Sequence, residues 1–382
     1  MPIGRFKRRA PVRVQPFYGY RNATRLVLSA RAIRAGEPVF EKRSFLRDVR
    51  TMARQYLSHE VPGLAVTLEY TPENGEPVSQ QVVTDAEGYA LFDLPLGDGA
   101  PPPERTRWEE AVLRWETREG KVAAARAYVI APGSQTRMGI ISDIDDTILE
   151  TGITGSFRKI ARNWKRVMRQ MPVDRVEVPG AAAFYAAIGG NPAGSREPAE
   201  AIDALAPRAR VRPVFYVSSS PWNLFSYLVT FKRSRGLPLG PIMLRDWGFN
   251  RRTLGKKSHG SHKREAIEQI LETFPELRFA LVGDDTQRDL AAFGAIAAKY
   301  PGRIAAVFIR AAAGEPLDAD EVAAKDMIAE AGVPFWSGSD YREAKSFLTS
   351  AGLDFGGGVK TLVRAASEGE MPPASPLPPA ED

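Results

Sequence analysis

Two hydrophobic rhythms divide the chain. Between residues 18 and 136 the apolar positions come in short runs, at 24–30, 64–70, 80–84, 89–94, 111–117 and 122–130. Runs of this length bounded by turn-forming residues predict strands. Thr84-Asp85-Ala86-Glu87-Gly88-Tyr89 reads as a turn between two of them, residues 96–103 as an exposed proline-rich loop and residues 49–57 as a short helix. Strands joined by turns with little helix predict an N-terminal β-sandwich. From residue 137 the rhythm changes. Apolar runs at 138–142, 211–217, 278–282, 303–309 and 333–336 alternate with helix-like segments, the pattern of a parallel sheet with crossover helices. Ser220-Pro221 offers an N-cap and a first-turn proline to a helix running to Arg235, and Ser261 an N-cap to a helix over 262–273. The fold class expected is α/β. Residues 1–17 form a flexible basic lead, 18–136 the sandwich, 137–365 the α/β domain and 366–382 a disordered tail rich in Pro, Ala, Ser and Glu.

Composition bounds the chemistry more than the fold. A chain of 382 residues is long for one core and suits two domains. The hydrophobic share of 43% and charged share of 26% are those of a globular protein, and no apolar run approaches the length of a membrane span. The basic N-terminal residues lack the apolar stretch of a secretory signal, so a cytoplasmic protein is expected. With no cysteine there is no disulfide, thiolate metal site or cysteine nucleophile. Three histidines leave oxygen as the main donor, which favours a hard ion such as Mg²⁺. The net charge of +6 suits an anionic partner without naming one.

Candidate chemistry gathers where the apolar runs of the second half stop. Asp143 and Asp145 follow the run ending at Ser142, with Thr147 next. A carboxylate can attack phosphorus, and a second one two residues on can protonate the leaving oxygen and later deprotonate water. On that reading Asp143 is the nucleophile and Asp145 the acid/base; a loop with helix-capping aspartates would look the same. Ser218 ends the run at 214–217 and can hold phosphate oxygens with nearby main-chain N–H groups. Lys263 can neutralise charge on the nucleophile and the transferring group. Gly283-Asp284-Asp285-Thr286-Gln287-Arg288-Asp289 follows the run at 278–282. Asp284 is the best direct metal ligand, while Asp285 and Asp289 ligate through water, cap the next helix or orient neighbours.

Asp143-Ile144-Asp145-Asp146-Thr147, Ser218, Lys263 and Asp284, in that order, resemble the four-motif series of the haloacid dehalogenase superfamily, whose members are mostly Mg²⁺-dependent phosphatases. Residues 216–223, His262-Lys263 and 283–289 resemble more narrowly the actin-patch-protein type phosphatidate phosphatase catalytic domain, over roughly residues 137–350. Tyr18-Gly19-Tyr20 and the strands after it are similar to the sandwich that precedes this domain in bacterial relatives. The resemblance implies a Rossmann-like parallel sheet with a small helical cap insert at 155–178. It also implies a metal site drawn from Asp143, Asp145, Asp284, Asp285 and Asp289, and substrate contacts at Ser219 and Asn223. One departure stands out: the family's Gly-Asp-Ser-Gly-Gln is Gly283-Asp284-Asp285-Thr286-Gln287 here.

Within the insert, residues 157–169 carry six basic residues and no acid. Phe157, Ile160, Trp164, Val167 and Met171 recur at helical spacing. Arg158, Lys159, Arg162 and Lys165 would then face an anionic membrane with Trp164 inserted. The alternative is a helix packed on the catalytic domain with its charges solvated. The expected activity is hydrolysis of phosphatidate to diacylglycerol and phosphate, with peripheral membrane contact. Alternatives are a soluble phosphomonoester, a nucleic-acid end, or a non-catalytic lipid-binding scaffold; nucleic acid is not the first choice of partner.

Overall fold

The computed structural model describes residues 11–34, 59–73, 75–97, 100–144, 180–190, 207–222, 225–245, 259–285, 288–311 and 318–353. The helix expected at 49–57, the insert at 155–178 with Arg158, Lys159, Arg162, Trp164 and Lys165, the tail at 366–382, and Asp145, Thr147 and Asn223 lie outside the described residues.

The N-terminal part is built from β1 (Val12–Pro16), β2 (Gly19–Arg21), β3 (Arg25–Arg34), β4 (His59–Glu60), β5 (Ala65–Tyr70), β6 (Val78–Val83), β7 (Tyr89–Pro95), β8 (Arg107–Glu116) and β9 (Val122–Ala131). All nine are hydrogen-bonded into one sheet, antiparallel except for the short β2–β9 pair. Alternating burial along β5 and β8 turns Val66, Leu68, Ala111, Leu113 and Trp115 inward. They meet Leu26, Leu28, Phe92 and Val129 in a closed core, so the sheet folds over upon itself; Gln80 of β6 hydrogen-bonds both backbone groups of Asp93 in β7. The expected turn at 84–89 forms. Asp85 Oδ1 accepts from the N–H groups of Glu87 and Tyr89, and Gly88 takes φ +81°, a conformation that costs glycine little. The expected basic lead is corrected at its end, because Val12–Pro16 pairs with β3 and buries Val14.

One ion cluster lies inside this β-domain. Arg21 donates to both oxygens of Glu109, at 2.6 and 2.8 Å, and to the carbonyls of Ala100 and Pro101. Tyr70 Oη donates to Glu109 as well. Burial pushes the Glu109 carboxyl upward, but the hydrogen bonds from Arg21 and Tyr70 outweigh it and hold the group below its ordinary range.

The second part is α/β. In chain order it contains β10 (Met138–Asp143), α1 (Ala181–Gly189), β11 (Val214–Pro221), α2 (Phe225–Ser234), β12 (Ile242–Arg245), α3 (His259–Thr273), β13 (Arg278–Asp284), α4 (Asp289–Lys299), β14 (Ile304–Arg310), α5 (Ala319–Glu330), β15 (Phe335–Gly338) and α6 (Tyr341–Ser350). The six strands pair in parallel in the order β12-β11-β10-β13-β14-β15. Successive strands build outward from β10 on one side and then, from β13, on the other, which is the doubly wound pattern with its switch point at β10 and β13. β10 and β14 are buried at every position and β13 at all but its first, as expected of strands covered on both faces.

Two helix starts differ from expectation. Ser220-Pro221 does not open a helix: β11 runs through Pro221, whose partner is Arg245 after a register shift, and α2 begins at Phe225. Proline lacks the donor that a central ladder needs but fits an irregular strand end. Likewise α3 begins at His259, which leaves Ser261 inside the helix. The apolar core of this part continues into the β-domain through Phe17, Tyr18, Tyr20, Val27, Tyr89 and Ile130.

Candidate active site

Parallel pairing brings three strand ends level. Asp143 closes β10 opposite Val217 of β11, so Ser218 stands one residue beyond it on that side. On the other side Ser142 is opposite Val282, and Asp284, the last residue of β13, stands one step beyond Asp143. Strands in a sheet are about 4.8 Å apart, so both neighbours lean on the Asp143 end. Ligands of doubly wound sheets bind at this carboxyl edge. Ser218, Asp143 and Asp284 are all buried.

Two helices complete the cluster. Lys263, in the first turns of α3, is 2% exposed and its Nζ lies 3.0 Å from Asp143 Oδ1 and in contact with Asp289 Oδ1. Burial acts to lower its pKa, but Asp143 and Asp289 outweigh burial and raise it, so the amine is charged. Asp289 opens α4, and its second oxygen accepts from the Asp284 N–H at 3.1 Å. A carboxylate in the first turn also complements the helix dipole. Oxygens of Asp143, Asp284 and Asp289 lie within 4.8 Å of one another.

The chain between β13 and α4 is shaped for this. A Cβ on Gly283 would come within 2.6 Å of Asp289 Oδ2, so only glycine lets that carboxylate fold back on the strand end. Arg288 has φ 62°, the left-handed region, directly before Asp289. That conformation costs a non-glycine residue about 1–2 kcal/mol and turns Asp289 inward.

Three further groups stand close by. Tyr185 of α1 bonds to Ser142 Oγ at 2.6 Å, and Ser142 donates to the Asp143 carbonyl. Tyr341, at the start of α6, is fully buried; burial first, then the charges of Tyr185 and Asp284, push its phenol well above the usual range. Arg310 ends β14 opposite Asp284, and its carbonyl accepts from the Asp285 N–H. None of the three was legible in the sequence. Tyr185 and Tyr341 read as core aromatics, and Arg310 falls one residue past the apolar run.

Of the residues expected at the site, Asp143, Ser218, Lys263, Asp284 and Asp289 are brought together. Ser219 lies on β11, with its side chain outside the described set. Asp285 is next to the cluster but not part of the carboxylate group formed by the described residues.

The fold and the site define a class: a doubly wound α/β domain with acidic residues and a buried lysine gathered at the carboxyl edge around its switch point. Residues 138–311 match the family model described as Phosphatidate phosphatase APP1, catalytic domain. The Saccharomyces cerevisiae protein named Phosphatidate phosphatase APP1 is 32% identical over 258 residues, which is 67% of this chain and 39% of that protein. An uncharacterized Schizosaccharomyces pombe protein is 25% identical over 60% of this chain and 34% of its own length. Over residues 138–311 the chain is similar to the APP1-type phosphatidate phosphatase family. It spans little more than a third of the length of these two relatives. Among solved structures, the chitinase ChiW of Paenibacillus overlaps 85% of this chain and 30% of its own at 10% identity and a TM-score of 0.17, a likeness too low to bear on the fold.

Proposed function

We propose that the chain is a Mg²⁺-dependent phosphatidate phosphatase of the haloacid dehalogenase type, releasing diacylglycerol and inorganic phosphate. The observation that carries the reading is Asp143 at the end of β10, paired with Lys263 and within 4.8 Å of Asp284 and Asp289. The family match and the yeast relative named for this activity support it.

In the proposed reaction the Asp143 carboxylate attacks phosphorus, and the bond from phosphorus to the glycerol oxygen breaks as Asp145 gives that oxygen its proton. Asp145 then takes a proton from water, which attacks the aspartyl phosphate and frees phosphate and Asp143. Ser218 and Thr147 hold phosphoryl oxygens, Ser219 and Asn223 bind the substrate, and Lys263 offsets the charge gathered there. The donor set fits a hard dication, because it is all oxygen, three carboxylates face one ammonium, and the chain has no cysteine. Asp143, Asp145 and Asp284 would hold the ion, with Asp289 orienting Lys263 and the Asp284 main chain; Asp285 would act through water. When bound, the ion supplies charge neutralisation at the phosphoryl oxygens.

The remaining finer readings belong to the same proposal. The β-domain is a two-layer sandwich of β1, β3, β4 and β7 over β5, β6, β8 and β9 that, with β1 included, spans 12–136, and the α/β domain spans 137–365. Among the described residues no helix is long and apolar enough to cross a membrane. The insert at 155–178 is the proposed membrane contact of a cytoplasmic enzyme. Phosphate release from phosphatidate in mixed micelles, with Mg²⁺ or with EDTA, tests the activity. Asp143→Asn should abolish release without unfolding the protein, and activity retained in that variant would end the nucleophile assignment. Trp164→Ala with Lys165→Ala should reduce turnover on phosphatidate vesicles but not on p-nitrophenyl phosphate; equal loss on both would refute the membrane role.

A further inference from the structure

We propose that the N-terminal β-domain is a positioning part of the catalytic site, with Arg31 as its key residue, acting on the segment just after Ser218 through Trp222. The proposal rests on the assignment of Ser218 and Lys263 to phosphate handling.

Trp222 follows Pro221, the last residue of β11, and lies four residues beyond Ser218. Its indole is held by the β-domain. The guanidinium carbon of Arg31 sits 3.1 Å from the Trp222 ring centroid and 4.8 Å from that of Tyr89, its neighbour across β3 and β7. Tyr89 meets Trp222 edge-on at 6.3 Å and 89°. Arg31 is itself fixed: it is 3% exposed, its Nε donates to the Glu87 carbonyl at 2.9 Å and its Nη2 to Glu60 Oε1 at 3.1 Å. An apolar residue would fill such an interface at less desolvation cost. What arginine adds is direction, since a desolvated cation over an indole face is worth about 2 kcal/mol and fixes the plane of the ring.

The same domain holds both helices that frame the site. Phe225, the first residue of α2, packs on Phe17 at 4.7 Å and Tyr18 at 5.6 Å, and Arg233 donates to Tyr18 Oη. At the far end of α3, the helix that carries Lys263, the side-chain amide of Asn22 donates to the Thr273 carbonyl at 2.9 Å. Tyr20 packs between Phe274 and Phe215 of β11. The stretch from Phe17 to Asn22 together with Arg31 therefore touches the strand that delivers Ser218, the helix after it and the helix that delivers Lys263. Movement of a reacting group by about 1 Å can cost on the order of 100-fold in rate.

The test compares full-length wild type with Arg31→Leu, Arg31→Lys, Trp222→Phe and Arg25→Leu. Arg25 pairs with Asp93 at an exposed edge of the same domain and serves as control. Two measurements are made on each: amide hydrogen exchange in peptides covering residues 214–234, and kcat and KM for p-nitrophenyl phosphate with Mg²⁺. Arg31→Leu should raise exchange in that segment and lower kcat by about 10- to 100-fold with KM little changed. Arg31→Lys, which keeps a cation over the ring, should recover most of both. Unchanged exchange at 214–234 in Arg31→Leu, or an equal kcat loss in Arg25→Leu, overturns the proposal. Should Arg31→Leu fail to fold, Arg31→Lys and Trp222→Phe carry the comparison, and Trp222→Phe must then show raised exchange and lowered kcat for the proposal to stand. A wild type with no phosphatase activity would defeat the proposed function, while the exchange data would still decide whether Arg31 holds the segment after Ser218.

Discussion

Replacing Lys263 with methionine nearly keeps the side chain's length and removes its charge, which isolates what the ammonium does among three buried carboxylates. Its Nζ is 3.0 Å from Asp143 Oδ1, an attraction of about 5–6 kcal/mol at an effective dielectric constant near 20. Without it, Asp143, Asp284 and Asp289 repel one another across at most 4.8 Å, about 3.5 kcal/mol or more per ionised pair on the same scale. Protonation of one carboxylate relieves part of this, so the expected net loss is that of a broken buried ion pair, about 3–5 kcal/mol. In EDTA the melting temperature of Lys263→Met should fall by roughly 6–20 °C. Added Mg²⁺ should then raise the melting temperature of the variant more than that of wild type, because the ion meets carboxylates that have lost their counter-charge. Differential scanning calorimetry with and without MgCl₂ makes the measurement. Equal melting temperatures in EDTA would refute the charge argument, and equal gains from Mg²⁺ would refute the shared-site argument.

Lys232 of α2 is fully buried, with Nζ 3.5 Å from the Tyr216 ring centroid and no hydrogen-bond partner among the described residues. Burial lowers its pKa well below the usual value, so the folded state binds fewer protons than the unfolded one, and wild-type stability from this group rises with pH by about 1.4 kcal/mol per unit between the two pKa values. Lys232→Met should therefore stabilise most at low pH, with the gain fading as pH approaches the unfolded value; urea unfolding at pH 6, 8 and 10 reads this, and a pH-independent difference would contradict it. Gly283→Ala should displace Asp289 from Lys263 and the Asp284 N–H, costing about 1–3 kcal/mol and lowering turnover, checked by chemical unfolding and phosphate release. Arg21→Leu should cost about 3–5 kcal/mol by leaving Glu109 buried without its main cation, seen as a lower urea midpoint.

Much of the α/β part was legible because its strands are buried on both faces and therefore appear as unbroken apolar runs; Met138–Asp143 and Arg278–Asp284 fall almost where the runs predict. β12 was missed, since Ile242–Arg245 is only four residues long and follows a Leu-Pro-Leu-Gly-Pro stretch that reads as loop. Ser220-Pro221 misled because a serine and a proline suit a helix start by local chemistry, whereas pairing to β12 keeps the chain extended. The site was legible wherever an acid directly ends an apolar run, as Asp143 and Asp284 do. The role of Asp289 stayed open in the sequence, and the geometry gives it two hydrogen-bonding tasks at once. Arg31 had no signal: a lone arginine in a strand pattern gives no hint that an indole nearly 200 residues away will lie against it.

The central place of β10 has a consequence for biosynthesis. The strand that ends in Asp143 takes one neighbour from β11 and the other from β13, whose Ala280 pairs with Ile140 about 140 residues later in the chain. At about 5–20 residues per second, a ribosome needs roughly 7–28 s to reach that second neighbour. For that interval an apolar strand, with no polar face to present to water, waits with an open edge on the β13 side. The completed β-domain precedes it on the chain, with its own aromatic surface still lacking Phe215 and Phe274. The nascent protein is most exposed to misassembly in this window, and slowing translation between residues 144 and 278 should cost soluble yield more than slowing it anywhere before.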